Sequence, residues 1–140
     1  MVKAELIKQT AENELMRFLG VKIEVAESAR VILSMEVTPK VHQYVGIMNG
    51  GVSLFLCETA ASVGAVLSSD LSKFTPVGIE INANHLRSVS KGVIKAEAVP
   101  LYAGRTMSVW NIEIRDERER LICTSRCSVL HKRRPAFPGK

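Results

Sequence analysis

An 18-residue run in the middle of the chain, VSLFLCETAASVGAVLSS from Val52 to Ser69, is apolar on nearly every side. A helix that is hydrophobic all round has no face to offer water, so it must be buried. Ala60, Ala61, Ser62, Gly64 and Ala65 keep its second half narrow, which suits close packing against something broad and flat, such as a sheet. The stretch Val52–Leu67 is interrupted by Glu58 and reads as too short to span a bilayer. The rest of the chain therefore has to supply a cover for this helix.

The flanking sequence has the right periods for that task. Leu6, Ile7, Ala11, Leu15 and Phe18 recur at helical spacing, so a helix is expected from about Ala4 to Phe18, ended by Gly20. Val21, Ile23 and Val25 alternate with Lys22 and Glu24, and Val31, Leu33, Met35 and Val37 alternate again after a turn near Glu27–Ser28, which predicts a hairpin. Beyond the buried helix, Val77/Ile79/Ile81, Ile94/Ala96/Ala98 and Trp110/Ile112/Ile114 alternate in turn, and Leu121 to Leu130 forms a last strand. The order is helix, two strands, buried helix, four strands. An all-round apolar helix is covered by this set only if a long antiparallel sheet curls about it, an α+β arrangement known as the hotdog fold.

At 140 residues the chain is one domain, taken as residues 1–130 with residues 1–20 as its leading helix. Four of its five net positive charges lie in Lys132, Arg133, Arg134 and Lys140, so the basic character belongs to residues 131–140, expected as a flexible tail. With 5 % aromatic residues the chain lacks the stacking platforms that nucleic-acid binding needs. The opening MVKAELIKQTAENEL has no apolar signal-like stretch, and Cys57, Cys123 and Cys127 form no CxxC pair. Reduced thiols in a cytoplasmic protein, with no membrane partner, are expected.

Few residues carry chemistry. Glu58 sits mid-helix among Leu54, Phe55, Leu56, Cys57, Ala60 and Ala61, and a carboxylate there has either a purpose or a partner. It reads equally as facing outward at a sheet edge or pairing with a Lys or Arg. Ser62 shares its helix face at i+4. Asn49-Gly50-Gly51 opens the helix, and first-turn N–H groups carry partial positive charge able to hold an oxyanion, although a plain turn has the same sequence. Gln43 is a neutral donor six residues earlier. His42, His85 and His131 have no metal-ligand spacing, so no metal and no other cofactor is expected. There is no nucleophile elbow, P-loop or dinucleotide fingerprint.

Three separated segments, QYVGIMNGGVSLFLCETAAS (Gln43–Ser62), VGIEINANHLRSVSKG (Val77–Gly92) and AGRTMSVWNIEIRDERERLICTSR (Ala103–Arg126), agree in order and spacing with PaaI-like hotdog thioesterases. The resemblance is to the branch acting on 4-hydroxybenzoyl-CoA and 1,4-dihydroxy-2-naphthoyl-CoA. It implies hydrolysis of an acyl-CoA thioester, with Glu58 as nucleophile or base, Gln43 orienting the thioester, the Gly50 N–H on its carbonyl oxygen and Ser62 assisting. It also implies that Gly51, His85, Arg87 and Arg105 approach the substrate and its CoA portion. Where the family usually has His-Gly-Gly, this chain has Asn49-Gly50-Gly51, and Asn cannot exchange a proton near neutral pH.

Gly50 and Glu58 are eight residues apart, roughly 12 Å along a helix, too far to serve one carbonyl in one subunit. A symmetric homodimer with shared sites resolves this, and relatives suggest a dimer of dimers. The competing readings are a non-catalytic acyl-CoA-binding module, a hotdog dehydratase, and, weakest, a nucleic-acid role for the tail.

Overall fold

A computed structural model describes residues 2–135. Two short helices, α1 (Val2–Glu12) and α2 (Glu14–Leu19), precede the hairpin β1 (Lys22–Glu27) and β2 (Arg30–Val37). The long helix α3 (Gly50–Ser68) follows, then β3 (Phe74–His85), β4 (Gly92–Ala103), β5 (Met107–Arg115) and β6 (Leu121–Arg133). The six strands form one sheet in the order β1-β2-β4-β5-β6-β3, all pairs antiparallel. This is the curled sheet around one helix that the sequence periods call for.

Helix α3 touches all six strands. Its buried residues Leu56, Cys57, Ala60, Ala61, Val63 and Ala65 meet Leu33 and Met35 of β2, Ile94, Ala96 and Ala98 of β4, Ile112 and Ile114 of β5 and Cys127 and Val129 of β6 in one core. At 19 residues α3 starts before Val52 and is long and apolar enough to cross a bilayer, contrary to the sequence expectation. Packing against the sheet, not length, makes it a core helix.

The closest approach is at Gly64. A methyl group there would fall on the benzo ring of Trp110, the largest fully buried side chain. The indole N–H donates to Ser108 Oγ at 3.1 Å, and Ser108 Oγ lies 3.0 Å from His131 Nε2.

Three expectations need correction. The leading helix is two helices, broken at Asn13, which is extended (φ −68°, ψ 155°) and caps α2 by accepting from the Met16 N–H. The break resets the helical phase. Met16 is buried, while Leu15 (50 % exposed) and Phe18 (58 % exposed) face outward, and Lys40 Nζ lies 5.1 Å from the Phe18 ring centroid. The expected tail begins late: His131, Lys132 and Arg133 pair with Pro76, Thr75 and Phe74 of β3. Arg134 follows, its N–H donating to Lys73 O at 2.8 Å; residues 136–140 of that expected tail lie outside the described residues. Lastly, Val77, Ile79 and Ile81 do not share a face. The register slips between Gly78 and Glu80, so Ile79 is the extra residue of a bulge, Val77 pairs with Leu130 and Ile81 with Cys127.

Gly→Ala in a helix interior ordinarily stabilises by about 1 kcal/mol. At Gly64 the added methyl meets a rigid indole, so Gly64→Ala is expected to destabilise by about 1–3 kcal/mol through overpacking. Urea unfolding of the purified variant checks the sign.

Candidate active site

Glu58 emerges half-buried from the middle of α3 and aims at β3. Its carboxylate reaches the backbone of Gly78, where any Cβ would collide with Oε1. The bare glycine at the bulge thus makes room for the acid. Among the described residues Glu58 has no ion pair and accepts no hydrogen bond from side chain or backbone, so the paired alternative does not hold. The carboxylate lines a cavity of about 400 Å3 with Phe55, Thr59, Ser62, Val63 and Val66 of α3, facing Leu6, Thr10, Asn13 and Met16. The structure therefore brings Ser62 to the Glu58 cavity. Gly78 was not singled out from sequence, although a glycine interrupting a strand pattern signals a bulge or a close approach.

The Cys57 and Cys127 thiols near Glu58 are held toward their protonated forms. A hydrogen bond with Cys123, followed by burial, raises the Cys57 thiol well above its ordinary range. Burial, followed by the charges of Glu58 and Glu80, pushes Cys127 up to about 11. All three cysteines are free and buried.

A second group of candidates gathers where α3 begins. Asn49 is the N-cap, its Oδ1 accepting from the Gly51 N–H at 2.8 Å. This uses the Gly51 N–H, whereas the Gly50 N–H has no protein acceptor among the described residues. The His85 ring, from the end of β3, stacks on Gly50 so closely that a Cβ there would stand 2.8 Å from Nε2. Gln43 sits in a tight turn: its backbone N–H donates to Ile47 O at 2.8 Å and its Oε1 accepts from Val45 N–H at 3.0 Å. With Oε1 occupied, the side-chain NH2 is the group left to donate outward. Gln43, Gly50, His85 and Arg87 line one cavity of about 310 Å3.

Arg105 does not join them. It lies in the turn after β4, in a hollow with Asp70, Phe74 and His131 beside the C-terminal end of α3. A 19-residue helix is about 28 Å long, which separates Arg105 from His85 and Arg87 within one chain. Among the described residues no three His, Cys, Asp or Glu side chains converge as metal ligands.

One chain therefore holds two half-sites: a carboxylate with a hydroxyl in one cavity, and a free N–H with an amide donor and an imidazole in another. Together these are the parts for attack on an activated carbonyl, a base or nucleophile and a set of donors for the developing oxyanion.

Comparison with known proteins identifies the family. The sequence profile of the thioesterase superfamily matches residues 45–123. A 1,4-dihydroxy-2-naphthoyl-CoA hydrolase of Listeria monocytogenes is 42 % identical over 120 residues, covering 86 % of this chain and 97 % of that protein. The Escherichia coli protein of the same name is 34 % identical over 125 residues, covering 89 % and 91 %. Among solved structures, a Haemophilus influenzae thioesterase superposes with a TM-score of 0.86 at 35 % identity, covering 96 % of this chain and 94 % of the other. A thioesterase variant from Pseudomonas aeruginosa gives 0.86 at 30 %, covering 93 % and 94 %. The chain belongs to the thioesterase superfamily and is a hotdog-fold thioester hydrolase.

Proposed function

We propose that this enzyme hydrolyses an aromatic or medium-chain acyl-CoA thioester to the free acid and CoA. The observation that carries the reading is the Glu58 carboxylate, unpaired, beside a bare glycine and facing a mostly apolar cavity. Glu58 attacks the thioester carbon or takes a proton from the water that does. The C–S bond breaks, and the departing CoA thiolate takes up a proton. Where Glu58 itself attacks, water then hydrolyses the mixed anhydride on Glu58, which releases the acid and restores the carboxylate. The Gly50 N–H holds the carbonyl oxygen as it becomes an oxyanion, the Gln43 amide orients the thioester, and the Ser62 hydroxyl assists at the carboxylate end. His85 presses on Gly50 and supplies a ring nitrogen at the carbonyl. Gly51, Arg87 and Arg105 are placed on the CoA portion, Arg105 from another subunit. Two relatives named 1,4-dihydroxy-2-naphthoyl-CoA hydrolase support an aromatic acyl group. The free, buried thiols fit a reducing cytoplasm.

The two half-sites meet across a homodimer in this reading. Strand β3 is an edge strand of 12 residues with Val77 and Ile79 exposed, and a long apolar edge invites pairing. The same strand touches both half-sites, Gly78 beside Glu58 and His85 beside Gly50. Antiparallel pairing of two β3 strands about a two-fold axis near Ile81–Asn82 lays Gly78 of one chain opposite the partner's His85, which brings each Glu58 to the other chain's Gly50. Exposed Val99, Leu101 and Tyr102 on β4 offer a further surface for a dimer of dimers.

A non-catalytic acyl-CoA-binding module is the second reading, favoured by Asn49, whose side-chain oxygen is committed to capping and which cannot move a proton. A panel of benzoyl, phenylacetyl and straight-chain CoA esters, followed by thiol release, separates the two: the proposal requires turnover, the module only binding. Glu58→Ala is expected to lower kcat by about 10²–10⁴-fold with an unchanged circular dichroism spectrum. Dialysis against a strong chelator is expected to leave turnover unchanged, and rescue of a chelated, inactive enzyme by one divalent ion would refute a metal-free mechanism.

Sharing between subunits is tested by complementation. Proline is tolerated at a first helical position, but Gly50→Pro removes the N–H donor and its ring displaces His85. Homodimers of Gly50→Pro and of Glu58→Ala are each expected to be nearly inactive. Refolded together at random, half the dimers are mixed and each has one intact site, so activity is expected to return to roughly a quarter of wild type. A mixture that stays inactive although heterodimers are seen by mass spectrometry places the whole site in one chain.

A further inference from the structure

The cavity at Glu58 has two unlike walls. One is α3 itself, presenting Phe55, Thr59, Ser62 and Val66 from the core helix. The opposite wall is built from the N-terminal segment, Leu6 and Thr10 of α1 with Asn13 and Met16. Thr10 Oγ1 donates to its own helix at Leu6 O, 2.8 Å away, so its hydroxyl is spent locally. Asn13 Oδ1 is likewise spent on the α2 cap. Met16 is fully buried and held by the core. That leaves Leu6 as the aliphatic group of α1 that an acyl chain leaving the carboxylate would meet.

The helix that carries Leu6 is lightly attached. None of its residues is buried. Ile7 packs on the edge of the core, and Lys3 Nζ donates to the Leu67 carbonyl at 2.6 Å, a cation on the C-terminal end of α3. Eleven residues form a helix that is marginal on its own, and segments with few buried contacts open at little cost. A change at Leu6 therefore reshapes the pocket wall and leaves the core alone.

We infer that α1 is the specificity wall of the acyl pocket and that Leu6 sets the length of acyl group the Glu58 cavity accepts. The inference rests on Glu58 being the reacting carboxylate. One methylene more or less in an apolar pocket changes discrimination about 10-fold or more, and Leu6→Ala removes three carbons.

The test is kcat/KM for hexanoyl-CoA and decanoyl-CoA in the full chain. Leu6→Ala is expected to raise the decanoyl-to-hexanoyl ratio about 10-fold, and Leu6→Trp to lower it by a similar factor. Ile7→Ala, which loosens the same helix from the core without lining the cavity, is expected to lower Tm while leaving the ratio within about twofold. A ratio unmoved in both Leu6 variants overturns the inference, as does an equal shift in Ile7→Ala, which would make α1 merely structural. Glu58→Ala, run in parallel, keeps the two claims apart. If it is inactive and the Leu6 ratio is unmoved, the wall fails and the catalytic reading stands. If it retains wild-type turnover, both fail. If the wild type hydrolyses neither straight-chain ester but does hydrolyse an aromatic one, the wall fails and the catalytic reading stands.

Discussion

The backbone of α3 must come close enough to a curled sheet for both to lose their water, and the rest of the structure depends on that contact. Ala60, Ala61 and Ala65 are fully buried on the helix, opposite Ala96 and Ala98 on β4. With small residues on both sides, large side chains can be placed one at a time into gaps. Trp110 fills the gap at Gly64, and its single polar atom is satisfied inside the core by Ser108. Tight packing of this kind transmits position faithfully, because a dense interior yields little. A carboxylate emerging from such a helix is therefore held in place by the whole core.

The same device recurs where the chemistry lies. Three glycines each accept one side chain from the facing layer: Gly64 takes Trp110, Gly78 takes Glu58, and Gly50 takes His85. The first contact is structural and both partners are apolar or satisfied. The other two bring a carboxylate and an imidazole against bare backbone. In the latter pairs the missing Cβ leaves space around a polar atom. That room is taken up by the carboxylate and the imidazole themselves.

Much of this was legible in the sequence because it depends on period. The all-round apolar run of α3, the two-residue alternation of β2, β4 and β5, and the lone Glu58 all follow from counting along the chain. What escaped is decided by local backbone geometry or by distant partners. Asn13 reads as one more polar residue in a helix, but its side chain competes for the Met16 N–H and ends one helix to begin another. Val77, Ile79 and Ile81 look like one face until the bulge at Gly78–Glu80 turns them apart. The strand ending of β6 was hidden by charge: Lys132 and Arg133 read as tail, yet an edge rung asks only for backbone groups. Gly78 signalled only a bulge or close approach, not its partner, and the α1 wall gave no signal, since each matters through residues far away in sequence, Glu58 in one case and Phe55 to Val66 in the other. The separation of the two half-sites, by contrast, followed from helix rise alone.

The two ends of the core helix differ in how their polar groups are satisfied, a difference that bears on the proposed site. At the C-terminal end the Trp110 N–H donates to Ser108, whose hydroxyl is hydrogen-bonded to Nε2 of His131, a ring whose pKa burial lowers from its ordinary value. Lys3 covers the Leu67 carbonyl, and Ser69 Oγ donates to Ala65 O at 2.6 Å. Every one of these groups has its partner within the chain. At the N-terminal end and along the β3 face the Gly50 N–H lacks an acceptor and Glu58 lacks a donor among the described residues. A half-buried donor and a half-buried acceptor left open cost stability in the free protein; in the proposed reaction one substrate would satisfy both, its carbonyl oxygen accepting from the first while its carbonyl carbon, or the water beside it, meets the second. Among the described residues no group of the fold meets either atom, and a polarised carbonyl is the complement the proposed reaction would bring to the pair.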